Sequence, residues 1–147
     1  MTKTLYHKGL KSSTFHLTLQ NEKYIKEELT DAALYKAMAE SAPTPEDAEL
    51  LNEFARDEEA HAQSFASVYR RVAGKNFTPS PFPESYALSY RDALRDRVLD
   101  ESAAFGNYRD DWLSAPEIPE FKKALFRAGT DEAVHAMRLL YLLSGNE

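Results

Sequence analysis

Two segments of the chain, Asp57-Glu58-Glu59-Ala60-His61-Ala62 and Asp131-Glu132-Ala133-Val134-His135-Ala136, share the pattern Asp-Glu-x-x-His-Ala. Residues three apart are neighbours on one face of a helix, so each Glu and its His can point at a single ion. One such pair is weak evidence, because surface Glu–His pairs are common. With 24 acids in 147 residues, two of four histidines both carrying acids at −3 and −4 arise by accident in roughly one chain in 200.

Both segments fall in the middle of stretches with helical character. From about Glu22 to Glu40, Ile25, Glu28, Ala32, Tyr35 and Met38 lie on one stripe at steps of three and four. Ser41-Ala-Pro-Thr-Pro breaks that helix. Thr44 then suits an N-cap, Pro45 a first helical residue, and Glu46 and Asp47 a positive helix start. The second helix is expected from there to about Ala73, with Gly74 as its stop. Pro79, Pro81 and Pro83 favour extended chain from Lys75 to Pro83. About ten extended residues reach about 33 Å, which matches a helix of about 22 residues, so this linker can run the length of a bundle. A third helix is expected from about Glu84 to Leu113 and a fourth from about Glu120 to Leu143, with Pro116 and Pro119 between them. Residues 1–20 show no clean period and are expected to form an irregular N-terminal arm, leaving 21–147 as the domain. No segment alternates in the manner of a strand. The expected fold is all-α: a ferritin-like four-helix bundle with a long crossover between helices 2 and 3.

The other two helices carry matching acids. Glu28 is followed seven residues later by Tyr35, and Glu101 by Tyr108. Seven residues are two turns, so each Tyr shares a face with its Glu. Both acids sit on apolar stripes, Glu28 with Ile25, Ala32 and Tyr35, and Glu101 with Val98, Phe105 and Tyr108. A lone carboxylate there costs several kcal/mol unless it is paired or binds metal. Glu28 precedes Glu58 by 30 residues and Glu101 precedes Glu132 by 31, so the chain reads as a duplicated helix pair. Six candidate ligands result: Glu28, Glu58, His61, Glu101, Glu132 and His135. A Glu from each of two helices and Glu-x-x-His from the other two is the arrangement of di-iron and di-manganese carboxylate bundles.

Four carboxylates are neutralised by two divalent ions, and carboxylate with imidazole and open positions suits iron or manganese. Asp57 and Asp131 lie one turn before His61 and His135. Each is expected to accept a hydrogen bond from the His of the opposite Glu-x-x-His helix, fixing its tautomer; the plain alternative is a solvated helix acid. Tyr35 and Tyr108 either donate to ligand carboxylates across the site or simply fill the core. His7 and His16 have no acid at ligand spacing and are assigned to the surface.

Composition narrows the chemistry further. The chain has no cysteine, which removes thiolate zinc sites, iron–sulfur clusters and disulfides. Any electrons must come from an external donor. A net charge of −6 argues against nucleic acid as the main partner. No apolar run approaches a membrane span, and Met1-Thr-Lys-Thr-Leu-Tyr-His-Lys is no secretory signal, so a cytoplasmic protein is expected.

These residues resemble the ferritin-like di-iron superfamily and, within it, the rubrerythrin family. The resemblance covers about Glu22 to Leu143 and rests on Glu28-x6-Tyr35, Ala55-Arg-Asp-Glu58-x-x-His61-Ala-x-x-Phe65, Glu101-x6-Tyr108 and Asp131-Glu132-x-x-His135. It implies two iron ions, with manganese as an alternative, and reduction of peroxide or oxygen with oxidation of Fe(II). The six ligands, Tyr35 and Tyr108 would then be the catalytic residues. Rubrerythrins usually carry a second Glu three residues after the helix-3 ligand; here that position is Ala104. They often add a four-cysteine rubredoxin domain; with no cysteine in this sequence, an external donor is expected in its place. Bacterioferritin has a haem-ligating Met where this chain has Glu59, so no haem is expected. The fifth short helix of cage-forming ferritins is not expected after helix 4. A homodimer is expected, with exchange of helix pairs left open by the long crossover. Iron storage in an assembled shell and manganese catalase-like chemistry are the alternative functions.

Overall fold

The computed structural model describes residues 3–80 and 88–145, with side chains from residue 14 onward. Four helices account for nearly all of it: α1 (Lys3–Glu40), α2 (Pro45–Ala73), α3 (Tyr90–Ser114) and α4 (Pro119–Gly145). No strand occurs among the described residues.

The helix ends follow local chemistry. The Thr44 hydroxyl accepts the Asp47 N–H at 3.1 Å, with Pro45 at the first helical position. Gly74 ends α2 in the left-handed region at φ 72° and donates its N–H to Arg70 O at 2.9 Å. Ser89 caps α3 by accepting the Asp92 N–H at 3.2 Å. The expected start of that helix at Glu84 lies outside the described residues, and the capped start is Tyr90.

The irregular arm expected over residues 1–20 is corrected: α1 runs unbroken from Lys3 to Glu40. The segment has no proline, and an established helix propagates cheaply. Leu17, Asn21 and Tyr24 extend the stripe of Ile25 and Glu28 backward at helical spacing, and all are buried. The polar residues between them hide that stripe in the bare sequence.

Hydrogen bonds across the bundle fix its topology. Tyr35 donates to Glu101 while Tyr108 donates to Glu28, so α1 and α3 are antiparallel. His61 pairs with Asp131 and His135 with Asp57, so α2 and α4 are antiparallel too. The α1–α2 and α3–α4 connections are four residues each, 41–44 and 115–118, which makes those neighbours antiparallel. It follows that α2 and α3 run parallel, and their connection must travel the bundle's length. Residues 74–89 reach about 53 Å when extended, enough for an α3 about 38 Å long.

Two apolar clusters plug the bundle, and every helix contributes to each. One contains Leu17, Ile25, Phe65, Tyr69, Phe121 and Leu125. The other contains Met38, Leu51, Phe54, Leu94, Leu139 and Leu142. The acidic residues lie between them.

Candidate metal centre

Glu28, Glu58, His61, Glu101, Glu132 and His135 are all buried, at 1–4% exposure. The fold places them in two groups of four: Glu28, Glu58, His61 and Glu132, and Glu58, Glu101, Glu132 and His135. Within each group, one ligand atom per residue lies within 4.8 Å of the others. Glu58 and Glu132 belong to both, which is the arrangement of two shared carboxylates flanked by two terminal ones.

Both imidazoles turn Nδ1 inward. His61 Nδ1 lies 3.0 Å from Glu58 Oε2, 3.1 Å from Glu28 Oε2 and 3.5 Å from Glu132 Oε1. His135 Nδ1 lies 3.1 Å from both Glu58 Oε1 and Glu132 Oε2. Nε2 of His61 faces Asp131 Oδ2 at 2.8 Å, and that of His135 faces Asp57 Oδ2 at 3.1 Å. Each pairing joins α2 to α4, as the spacing predicts. With Nε2–H donated to an aspartate, each ring turns its Nδ1 to carboxylate oxygens, as a proton donor while the ring is charged and as a lone pair for a cation once that proton is displaced. Atoms that close need either a proton or a metal ion among them.

The titration behaviour has the same cause. Burial, reinforced by the Glu58 charge, pushes the Glu28 carboxyl up to about 8 against the His61 hydrogen bond. Burial raises Glu132 in the same way. Burial would also raise Glu58, but the His135 and His61 rings set against it win and hold it at about 2. Burial opposes charge on both histidines, yet the surrounding carboxylates raise His61, and they lift His135 to about 11. Protons therefore do part of the neutralising that the acids require.

The donor set fits two metal ions. Four carboxylates and two imidazoles supply hard oxygen and borderline nitrogen ligands suited to iron or manganese. Glu58 Oε1 is buried and, although 3.1 Å from His135 Nδ1, it forms no hydrogen bond. One Nδ1 shared among several oxygens cannot satisfy them all, whereas a bridging ion does.

Tyr35 and Tyr108 reach across the bundle to Glu101 and Glu28, so they act on the terminal carboxylates as well as filling the core. Phe54 packs on the His135 ring at 4.5 Å, and Phe65 stacks on Tyr108 at 5.7 Å. His16 is exposed, while the His7 side chain lies outside the described residues. The stripe assigned to α3 needs one correction: Phe105 is 38% exposed, and its place beside Glu101 is taken by Arg97.

Arg97 escapes the sequence reading. It is 6% exposed and binds Glu101 Oε1 at 2.7 Å, Asp31 Oδ1 at 3.0 Å and Asp100 Oδ2 at 3.3 Å. The repeat that relates Glu28 to Glu101 puts Tyr24 at the matching place on α1 and Ala104 opposite Asp31. The two halves are thus equal in ligands and unequal in their surroundings. A buried position four residues before Glu101 was the available signal, masked by the charged run Arg95-Asp96-Arg97.

The Rubrerythrin family model matches residues 22–94. That stretch includes Glu28, Glu58 and His61; the other three candidate ligands lie beyond it and rest on the geometry above. The chain is also similar to the uncharacterized protein YhjR of Bacillus subtilis (strain 168), with 29% identity over 128 residues, covering 83% of each chain. No solved structure matches it. The duplicated ligand pairs, the crossover bundle and the Rubrerythrin match are together consistent with a ferritin-like domain of the rubrerythrin type.

Proposed function

We propose that the chain is a di-iron oxidoreductase that reduces peroxide, or oxygen in its place, with oxidation of Fe(II). The observation that carries this reading is the pair of ligand groups sharing Glu58 and Glu132. Glu28 and His61 would complete one ion's ligands, and Glu101 and His135 the other's. Iron bound there supplies two electrons and open positions for an oxidant. With those two electrons and two protons, peroxide would become two waters. An external donor returns the electrons, since the chain has no cysteine.

The protein's own part is positional. Asp131 and Asp57 hold the imidazoles in one tautomer with Nδ1 inward. Tyr108 and Tyr35 each engage one oxygen of a terminal carboxylate, leaving the other free to ligate. The two apolar clusters exclude water above and below the site.

The test adds Fe(II) stoichiometrically to metal-free protein, then peroxide. Diferric absorption and peroxide loss faster than free iron gives are expected, and neither should survive Glu58→Ala. Absence of both from the unmodified protein rejects the proposal. Manganese alone in protein purified without added metal would move the reading to catalase-like chemistry, and a many-subunit particle to storage.

The proposal includes a homodimer joined through the outer face of α4. Phe126, Met137, Leu140 and Tyr141 form an outward stripe, exposed by 54–73%. Trp112 and Leu113 of α3 flank it, with Trp112 and Phe126 rings 6.4 Å apart. Large apolar side chains exposed along one helix face, rather than scattered singly, mark an interaction surface. Native mass should be that of two chains and fall to one in Met137→Glu/Leu140→Glu; a monomeric unmodified protein removes this part.

A further inference from the structure

A cleft of about 640 Å³ opens between α1 and α3, and of the six candidate ligands it reaches only Glu28 and Glu132. We infer that this cleft is the route by which a divalent cation enters the site, arriving first at the Glu28–His61 half, and that Ala104 sets its width. The inference rests on the proposed metal centre and adds how that centre is loaded.

Three observations converge on this. First, both carboxylates at the floor are almost fully buried, at 4% and 2% exposure, so an open cleft ending on them is a path to the site rather than a surface hollow. Second, acidic side chains in its lining outnumber basic ones seven to three. Asp100, Asp110 and Asp111 stand on the α3 side, and a negatively lined cleft focuses field lines and concentrates cations. Third, the far half is shielded. The Arg97 guanidinium lies in the cleft lining and holds Glu101 and Asp31, placing a positive charge between solvent and Glu101. An incoming cation is therefore directed to Glu28.

The α3–α4 wall carries an apolar hollow of about 310 Å³ beside Tyr108 and Gly129, and it reaches none of the six candidate ligands. A Cβ at Gly129 would meet Tyr108 Cβ at 3.1 Å, so the helices touch there. In the cleft, by contrast, α3 presents Ala103, Ala104 and Asn107. Ala104 is half-buried, three residues beyond Glu101 and one turn before Tyr108. A large side chain at 104 would occupy the passage without replacing any ligand.

The experiment follows Co(II) uptake by the full chain after chelator treatment, using visible absorption in stopped flow and equilibrium metal content. Ala104→Phe should slow uptake at least about tenfold, a barrier higher by about 1.4 kcal/mol, while the final content stays at two ions per chain. Ser102→Phe, on the exposed side of the same helix, should load at the unmodified rate. Equal rates for Ala104→Phe and the unmodified chain would overturn the route while leaving the metal centre standing. No Co(II) uptake by the unmodified chain would overturn both. Should Ala104→Phe fail to fold, the salt dependence of the unmodified chain decides: an acid-lined path requires uptake to slow as salt rises, and a salt-independent rate rejects it.

Discussion

His61 and His135 each spend one ring nitrogen on an aspartate and turn the other toward glutamates. Orientation rather than identity makes them useful ligands. Asp131 is held below the usual carboxylate range chiefly by its His61 hydrogen bond, so it is ionised when it accepts. Asparagine keeps the shape but loses the charge and can present an N–H to Nε2, favouring the wrong tautomer. Asp131→Asn should weaken metal binding about 10–100-fold with little change in helix content, as measured by competition with a chelator. Unchanged affinity would reduce Asp131 to a solvated helix acid. The Glu and His of each motif were legible from spacing alone, and so was the opposite-helix pairing of the aspartates. Arg97 was not, because an Arg in a run of charges looks like a solvated face until α1 brings Asp31 against it and buries it with Glu101 of its own helix.

At the level of elements, Gly129 decides how closely α3 and α4 approach. It is buried, and an added Cβ would press on Tyr108 Cβ at 3.1 Å. Tyr108 cannot yield freely, since its hydroxyl is committed to Glu28 and its ring stacks on Phe65. Alanine improves helix propensity by about 1 kcal/mol, while overpacking costs about 1–3 kcal/mol. Gly129→Ala should therefore be destabilising by about 1 kcal/mol, near 3 °C in Tm for a domain of this size, and it should weaken metal binding by displacing Tyr108. Thermal melts with and without metal check this; a more stable variant would show that α3 yields. The ends of α2 were legible because Thr44, Pro45 and Gly74 act through their own backbone geometry. The N-terminal half of α1 was not, since its helical state shows only where Leu17 and Asn21 meet the bundle.

Taken as a whole, the metal-free molecule stores protons at its centre. Where the folded chain binds more protons than the unfolded one, stability falls as pH rises. Glu28, raised from 4.5 to about 8, acts this way between those values, and Glu132 acts in the same direction. The histidines do so above 6.5, where the unfolded rings lose their protons, and His135 keeps its own to about 11. Glu58, lowered to about 2, opposes them only below 4.5. The metal-free protein should thus lose Tm steadily from pH 5 to pH 8, whereas metal-loaded protein, its protons displaced, should change much less. Parallel melts at several pH values give the answer, and a metal-free Tm rising over that range would contradict the buried-carboxylate account. No helix among the described residues is long and apolar enough to cross a membrane.

The sequence by itself determined the four-helix architecture, the parallel run of α2 and α3 across a proline-rich crossover, and the six candidate ligands, because those depend on spacing along one helix and on the reach of an extended chain. Only the tertiary structure decided that α1 continues to Lys3, that Arg97 guards one half of the centre and that a cleft opens on the other. Each of these depends on what a neighbouring helix places opposite a residue, which periodicity within one segment does not encode.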